Sequence, residues 1–253
     1  MSFLIGLIAG VFGGLVGLGG GAIMIPLVVR FKGLSQHQAH GTSLMALVFT
    51  GLSGAITYYL NGSVDVLAAV LLAASAIFTA SLGALSANAL PEWQLKRAFG
   101  IFLILVSVIL VAKPYLGQFS QSTGGWIRVV AILFSGAVAG FLSGMMGVGG
   151  GSIMVPALVL LAGLGQHTAQ GSSLLAMVPA GSVGAVTHWR LGNVVGGLLP
   201  GLIIGILLGT YLGATGAHFL TDANLRVVFA VVLIWLGLRD IRASGKMHVL
   251  KQD

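Results

Sequence analysis

The chain contains no cysteine, and only five of its 253 residues are acidic. The first absence removes disulfides, thiolate nucleophiles and Cys-based metal sites. The five acids, Asp65, Glu92, Asp222, Asp240 and Asp253, all read as loop or span-end positions. That disfavours an acidic proton relay or a divalent-cation pathway through a membrane. No H-E-x-x-H, paired carboxylates or ATP-binding motif occurs, and the six histidines are dispersed without acidic partners. A zincin, a pump driven by ATP and a histidine-built metal transporter all lose their signatures. Ser152 or Ser173 with a histidine imitates an intramembrane serine hydrolase, but nothing in the spacing makes a nucleophile–base pair. The reading is therefore a non-enzyme, with no cofactor and no metal site expected.

Charge of either sign is scarce, at 7% of residues, where a soluble domain carries about 25%. In its place stand 57% hydrophobic residues, a mean hydropathy of +1.05 and 40 glycines. Small residues let helices approach closely in lipid, so this composition describes an all-α polytopic integral membrane protein. The N-terminal Met1-Ser2-Phe3-Leu4-Ile5 shows neither a basic n-region nor an evident cleavage site, so no removable signal peptide is read there. The 12 Lys and Arg lie scattered between apolar spans. They read as topology signals, not as a nucleic-acid surface.

One ten-residue stretch occurs twice. Gly17-Leu18-Gly19-Gly20-Gly21-Ala22-Ile23-Met24-Ile25-Pro26 returns as Gly147-Val148-Gly149-Gly150-Gly151-Ser152-Ile153-Met154-Val155-Pro156, identical at seven of ten positions. The offset of 130 residues then holds along the chain: Gly6 and Gly10 match Gly136 and Gly140, Gln36-His37 matches Gln166-His167, and Leu82-Gly83-Ala84 matches Leu212-Gly213-Ala214. This is a duplication, with repeat 1 over 1–112, a linker over 113–126 and repeat 2 over 127–253.

Within repeat 1, Phe3 to Gly17 is an apolar stretch too short for a hydrocarbon core of about 30 Å. After the glycines, Ala22 to Phe31 supplies a second short helix. The pair is either a re-entrant hairpin or one broken span. A helix then ends near Leu60, Asn61-Gly62-Ser63 turns, and further spans run from about Val64 to Leu90, closed by Pro91, and from about Leu95 to Val111. With the hairpin entering and leaving on one side, each repeat crosses three times. Nine basic residues (Arg30, Lys32, Lys96, Arg97, Arg190, Arg239, Arg242, Lys246, Lys251) then share the cytoplasmic side with both termini, against three outside (Lys113, Arg128, Arg226). Eight single crossings give a best split of 7 to 5. The positive-inside rule favours the first arrangement, two inverted repeats, each a Gly-broken or re-entrant first helix plus three spanning helices.

Two polar constellations recur. Gly19-Gly20-Gly21 and Gly149-Gly150-Gly151-Ser152 interrupt helices, and interrupted helix in lipid is tolerated where it lines a cavity or is buried in protein. Amides at the start of the following half-helix form a ready anion site. His40-Gly41-Thr42-Ser43 and Gln170-Gly171-Ser172-Ser173 place hydroxyls ahead of apolar helices, where they read as N-caps. An inverted pair of such units brings four helix N-termini near one point, suited to a small oxyanion. The candidate binding residues are Gly19, Gly20, Gly21, His40, Thr42, Ser43, Gly149, Gly150, Gly151, Ser152, Gln170, Ser172 and Ser173. Packing alone also accounts for the glycines, and capping alone for the hydroxyls. His40, opposite a neutral Gln170, offers one titrating group in one half. His37 and His167 read as interfacial, and His188-Trp189-Arg190 as an interfacial belt.

At these residues the chain resembles the TauE/SafE family of sulfite exporters and related permeases. The resemblance covers nearly the whole chain and rests on G-x-G-G-G-x-I-M-x-P in both halves, each followed by Gln-His and Gly-(Thr/Ser)-Ser-Leu. It implies transport of sulfite, sulfoacetate or another organosulfonate, or thiosulfate across a bacterial inner membrane. The resulting expectation is a secondary carrier that binds its anion between the repeats and works by alternating access. An anion channel with the same donors is the alternative, followed by a metal-ion transporter or a non-transporting scaffold. The expected partners are a small anionic substrate and the lipid bilayer. Substrate identity, direction, coupling ion and oligomeric state, a homo-oligomer included, stay open.

Overall fold

In the computed structural model of the protein, the described residues are 1–86, 92–112 and 125–249, and they form ten α-helices. Repeat 1 supplies α1 (Ser2–Val16), α2 (Gly21–Lys32), α3 (Gln36–Leu60), α4 (Val66–Ser86) and α5 (Glu92–Ala112). Repeat 2 supplies α6 (Gly125–Met146), α7 (Gly151–Leu160), α8 (Gln166–Arg190), α9 (Leu199–Ala217) and α10 (Asp222–Val249). Pro91, the core of the expected linker and the basic ends Lys113 and Lys251 lie outside the described residues. The last two linker positions already belong to α6.

Local chemistry sets the helix ends. α1 stops at Gly17, whose left-handed φ of 72° lets its amide close on the Gly13 carbonyl. Gly20, at φ 79°, starts α2 from a conformation that a side chain would resist. The chain then doubles back: Gly20 lies against the Ala9 carbonyl, and Ile5 and Ala9 share a buried cluster with Met24, Ile25 and Val28. Each repeat thus opens with a helical hairpin. Ser35 and Gln38 form a reciprocal capping box at the start of α3. Asp65 caps α4 by accepting from the Ala68 amide at 3.0 Å.

The repeats interlock. Gly6, Gly10 and Gly14 of α1 lie against the backbone of Leu202, Ile206 and Thr210, so α1 and α9 run parallel. Their counterparts Gly136, Gly140 and Gly144 of α6 meet Leu72, Ala76 and Ala80 in the same way, so α6 and α4 also run parallel. Across the centre, Leu44 meets Gly184, Val48 meets Gly181 and Gly51 meets Val178, so α3 and its counterpart α8 run antiparallel. Ile104 against Gly237 and Ile241 against Gly100 make α5 and its counterpart α10 antiparallel too. Small residues at every crossing allow these backbone approaches.

The outside is apolar. Phe78, Phe134, Leu208, Tyr211 and Val231 are all more than half exposed, a surface that water does not tolerate over such an area. Four helices, Gln36–Leu60, Val66–Ser86, Gly125–Met146 and Gly196–Ala217, are long and apolar enough to cross a membrane. This is a multi-pass membrane architecture.

Candidate functional site at the crossing of the two glycine breaks

The two breaks meet backbone to backbone. A side chain at Gly21 would stand 2.7 Å from the Gly147 carbonyl oxygen, and one at Gly151 would collide with the Gly17 carbonyl. These contacts are counterparts of one another under the 130-residue offset. Gly19 and Gly149 both face the Met177 methyl and Leu47, which are themselves counterparts. The space enclosed there is about 10 Å³, bordered by Leu44, Leu47, Met154 and Met177. That is barely one water probe. In this conformation a ligand would sit beside the crossing, not between the breaks.

Among the described residues, no amide from Leu18 to Ala22 or from Val148 to Ser152 donates to a backbone carbonyl. These donors sit at the starts of α2 and α7, where the helix dipoles are positive. The expected second pair of helix starts is corrected: α3 and α8 begin at Gln36 and Gln166. Ser35 does the capping of α3, and Thr42, Ser43, Ser172 and Ser173 lie within the helices. Two helix N-termini converge on the crossing, not four. In α3 the local signal that outweighed the hydroxyl pair was the Ser35–Gln38 box, which begins seven residues before Thr42.

Inside the helices the hydroxyls take other duties. Thr42 Oγ1 accepts from the Val195 amide at 3.0 Å, and Ser172 Oγ accepts from the Asp65 amide at 2.8 Å. Each repeat thereby clasps the loop ahead of a long helix in the other. Ser43 donates to the Gly147 carbonyl at 3.2 Å, fixing the second break. The hydroxyls of Ser152, Ser173, Thr50 and Thr210 are buried and have no partner, as is the Gln170 amide nitrogen. Gln170 packs on Gly17, Thr50 on Gly13, and Thr210 on Gly54. A buried polar group left unpaired costs on the order of 1–3 kcal/mol, so Gln170 beside the first break and Ser152 in the second each have a hydrogen-bonding capacity that a ligand could complete.

The half containing His40 differs. His40 is half-buried with its backbone against Gly147, whereas its counterpart Gln170 is fully buried against Gly17. His167 binds Asp222 at the start of α10. His188, expected in an interfacial belt, instead turns inward and its ring nitrogen meets the Gly144 carbonyl at 2.9 Å, while Trp189 stays exposed. Asp240, expected at a span end, is buried within α10 and paired with Arg239. Among the described residues, no three His, Cys, Asp or Glu side chains group as a metal site.

Sequence reasoning missed Thr50, Thr210, Tyr58 and Arg239. Thr50 and Thr210 stand singly in apolar helices without a recurring motif. Tyr58 resembles any span-end aromatic, and Arg239 resembles any topology charge.

Comparison with known proteins gives this architecture its relatives. The family described as sulfite exporter TauE/SafE matches residues 2–239. A probable membrane transporter protein of Bacillus subtilis, YunE, is 31% identical over 95% of this chain and 98% of its own length. A second from that organism, YdhB, is 28% identical over 74% of this chain and 76% of its own. A probable membrane transporter protein of Xylella fastidiosa is 30% identical over 69% and 66%. No solved structure matches. With a family match across almost all of its length, the chain belongs to the TauE/SafE sulfite exporter family of membrane transporters.

Proposed function

We propose that the protein is a secondary transporter for a small sulfur oxyanion or organosulfonate, bound beside the crossing of the two glycine breaks. The observation that carries this reading is the crossing itself. Two helix starts meet there, with the unpartnered Ser152 hydroxyl in the second break and the unpartnered Gln170 amide nitrogen on the residue that packs against Gly17 of the first. Ser152 and Gln170 bring hydroxyl and amide donors but no charge to the crossing, and Asp240, on the wall of the neighbouring cavity, is paired with Arg239, so what is left to recognise a ligand suits an anion. The name of the matched family supplies sulfite as the first substrate to test.

The antiparallel pairing of counterparts supports inverted repeats. If α3 and α8 cross the bilayer, a two-fold relating them lies in the membrane plane, and the hairpins enter from opposite faces. Three crossings per repeat then return both termini to one side, which the distribution of Lys and Arg makes cytoplasmic. Rocking of one repeat against the other around the crossing would give alternating access. The bacterial inner membrane is the proposed location.

The test is thermal stabilisation of the purified chain by sulfite, sulfoacetate, thiosulfate, sulfate, chloride and nickel at matched ionic strength. A ligand of the folded state raises apparent stability by mass action. Selective stabilisation by a sulfur oxyanion is expected. Stabilisation by nickel alone, or by no anion at all, overturns the reading. Counterflow in proteoliposomes then separates a carrier from a channel, because only a carrier exchanges.

A further inference from the structure

We propose that Arg239 is the residue that first recognises the anion, and that Asp240 is a resident counter-ion which the anion displaces. This rests on the anion reading above and adds the recognising side chain and the side of approach.

A cavity of about 190 Å³ opens between α2, α3 and α10, with Pro26, His40, Arg239 and Asp240 on its walls and Val148 of the second break among its lining. It therefore reaches the break, whereas the space at the crossing is nearly closed. Arg239 is part-exposed and Asp240 is buried. The guanidinium donates from Nε and Nη2 to Asp240 Oδ1 at 3.0 and 2.7 Å, and from Nη1 to the Ala22 carbonyl at 2.5 Å.

The last bond has a cause in the sequence. Pro26 has no N–H, so the Ala22 carbonyl four residues before it lacks its helical donor. Arg239 supplies one, and this ties the recognising cation to the first turn of α2. A guanidinium has five N–H donors. Three are engaged here, leaving two on a side chain that lines the cavity. Both bonds to Asp240 fall on a single oxygen, so the carboxylate does not occupy the two-oxygen fork that Arg geometry favours. A sulfite or sulfonate group presents several oxygens and can.

The device is one-sided. At the 130-residue offset Arg239 and Asp240 correspond to Ile109 and Leu110, so repeat 1 offers no cation at the equivalent place.

Asp240→Asn and the neutral pair R239Q/D240N test the assignment on the full chain in detergent. The probe is sulfite, with chloride at matched ionic strength as control, and the readout is the apparent Kd from thermal stabilisation. Asp240→Asn removes the competitor and is expected to tighten sulfite binding several-fold. R239Q/D240N keeps an amide able to donate to Ala22 and orphans no charge. It is expected to weaken binding about tenfold, the scale of one lost charge-assisted bond. Arg239→Lys, retaining charge without the fork, should fall between wild type and the neutral pair. A purely structural Arg239 predicts otherwise: lower unliganded stability in Asp240→Asn, with no gain in affinity. That outcome, or unchanged affinity in R239Q/D240N, overturns the assignment while wild-type binding still upholds the anion reading. Absence of oxyanion binding by wild type overturns the anion reading itself.

Discussion

The Tyr58 hydroxyl donates to Gln170 Oε1 at 2.6 Å, joining α3 of one repeat to α8 of the other, with the Gly14 carbonyl 3.1 Å away. Both side chains are fully buried. The bond holds Gln170 against Gly17, and so holds one flank of the crossing in place. Tyr58→Phe keeps the ring, whose centroid lies 4.7 Å from that of His218 at a tilt of 53°, and removes only the hydroxyl. Gln170 then has a buried oxygen without its donor. The expected loss is about 1–3 kcal/mol of stability, read as a lower melting temperature in detergent, together with weaker anion binding. A Tyr58→Phe protein that matches wild type in both would show that Gln170 does not need this tether.

The two cross-repeat clasps make a paired prediction. Thr42→Val removes the acceptor for the Val195 amide, and Ser172→Ala removes the acceptor for the Asp65 amide. Each leaves a part-buried N–H unpaired, at a cost of about 1–3 kcal/mol. The loops at 61–65 and 191–195 should then be cut faster by protease added to the folded protein. Equal cleavage rates in wild type and both variants would mean that other contacts hold the loops.

Substitution of the break glycines should be graded by what each would strike. At Gly21 a methyl meets the Gly147 and Val148 carbonyls at 2.7 and 2.8 Å, which are backbone atoms of the facing break. At Gly150 it meets the Met154 methyl at 3.0 Å, the flexible end of a side chain, and φ is an ordinary −77°. Gly196 has open space around it. Gly21→Ala should therefore abolish transport in protein that still inserts. Gly150→Ala should be mild, and Gly196→Ala should change stability by no more than about 0.5 kcal/mol. Transport assays on membranes with matched expression check the order, and equal activity of Gly21→Ala and Gly196→Ala would remove the crossing from the mechanism.

Much of this architecture was legible because the duplication printed it twice. The two short helices flanking Gly17–Gly20, the long helix ending at Leu60 and the turn at Gly62 follow from local apolar length and glycine punctuation. The hydroxyl pairs misled for a physical reason. Ser and Thr are good caps, but they also sit within helices when a partner elsewhere takes the hydroxyl, and only the fold brings Val195 to Thr42 and Asp65 to Ser172. His188 likewise looked interfacial from its neighbours Trp189 and Arg190, yet the close approach of α6 at Gly144 gives its ring a carbonyl inside the bundle. Arg239 was legible as a charge but not as the donor to Ala22. Nothing local links positions 217 residues apart.

The last prediction concerns two residues that the duplication makes equivalent and the fold does not. Gln36 is exposed, while Gln166 is fully buried with neither its oxygen nor its nitrogen partnered. Identical residues at equivalent places would share one environment in a symmetric dimer of repeats. Their difference shows that the start of α3 is exposed where the start of α8 is packed away. A buried amide with no partner is costly, so an arrangement that exposed Gln166 would relieve that cost. The chain has no cysteine, so single cysteines at 36 and 166 report without background. Gln36→Cys should react quickly with a membrane-impermeant maleimide in detergent, and Gln166→Cys slowly. A transported anion that shifts the population between the two arrangements should raise the rate at 166 and lower it at 36. Rates that move together, or not at all, at saturating anion would mean that the asymmetry is a fixed feature of the fold and no part of a transport cycle.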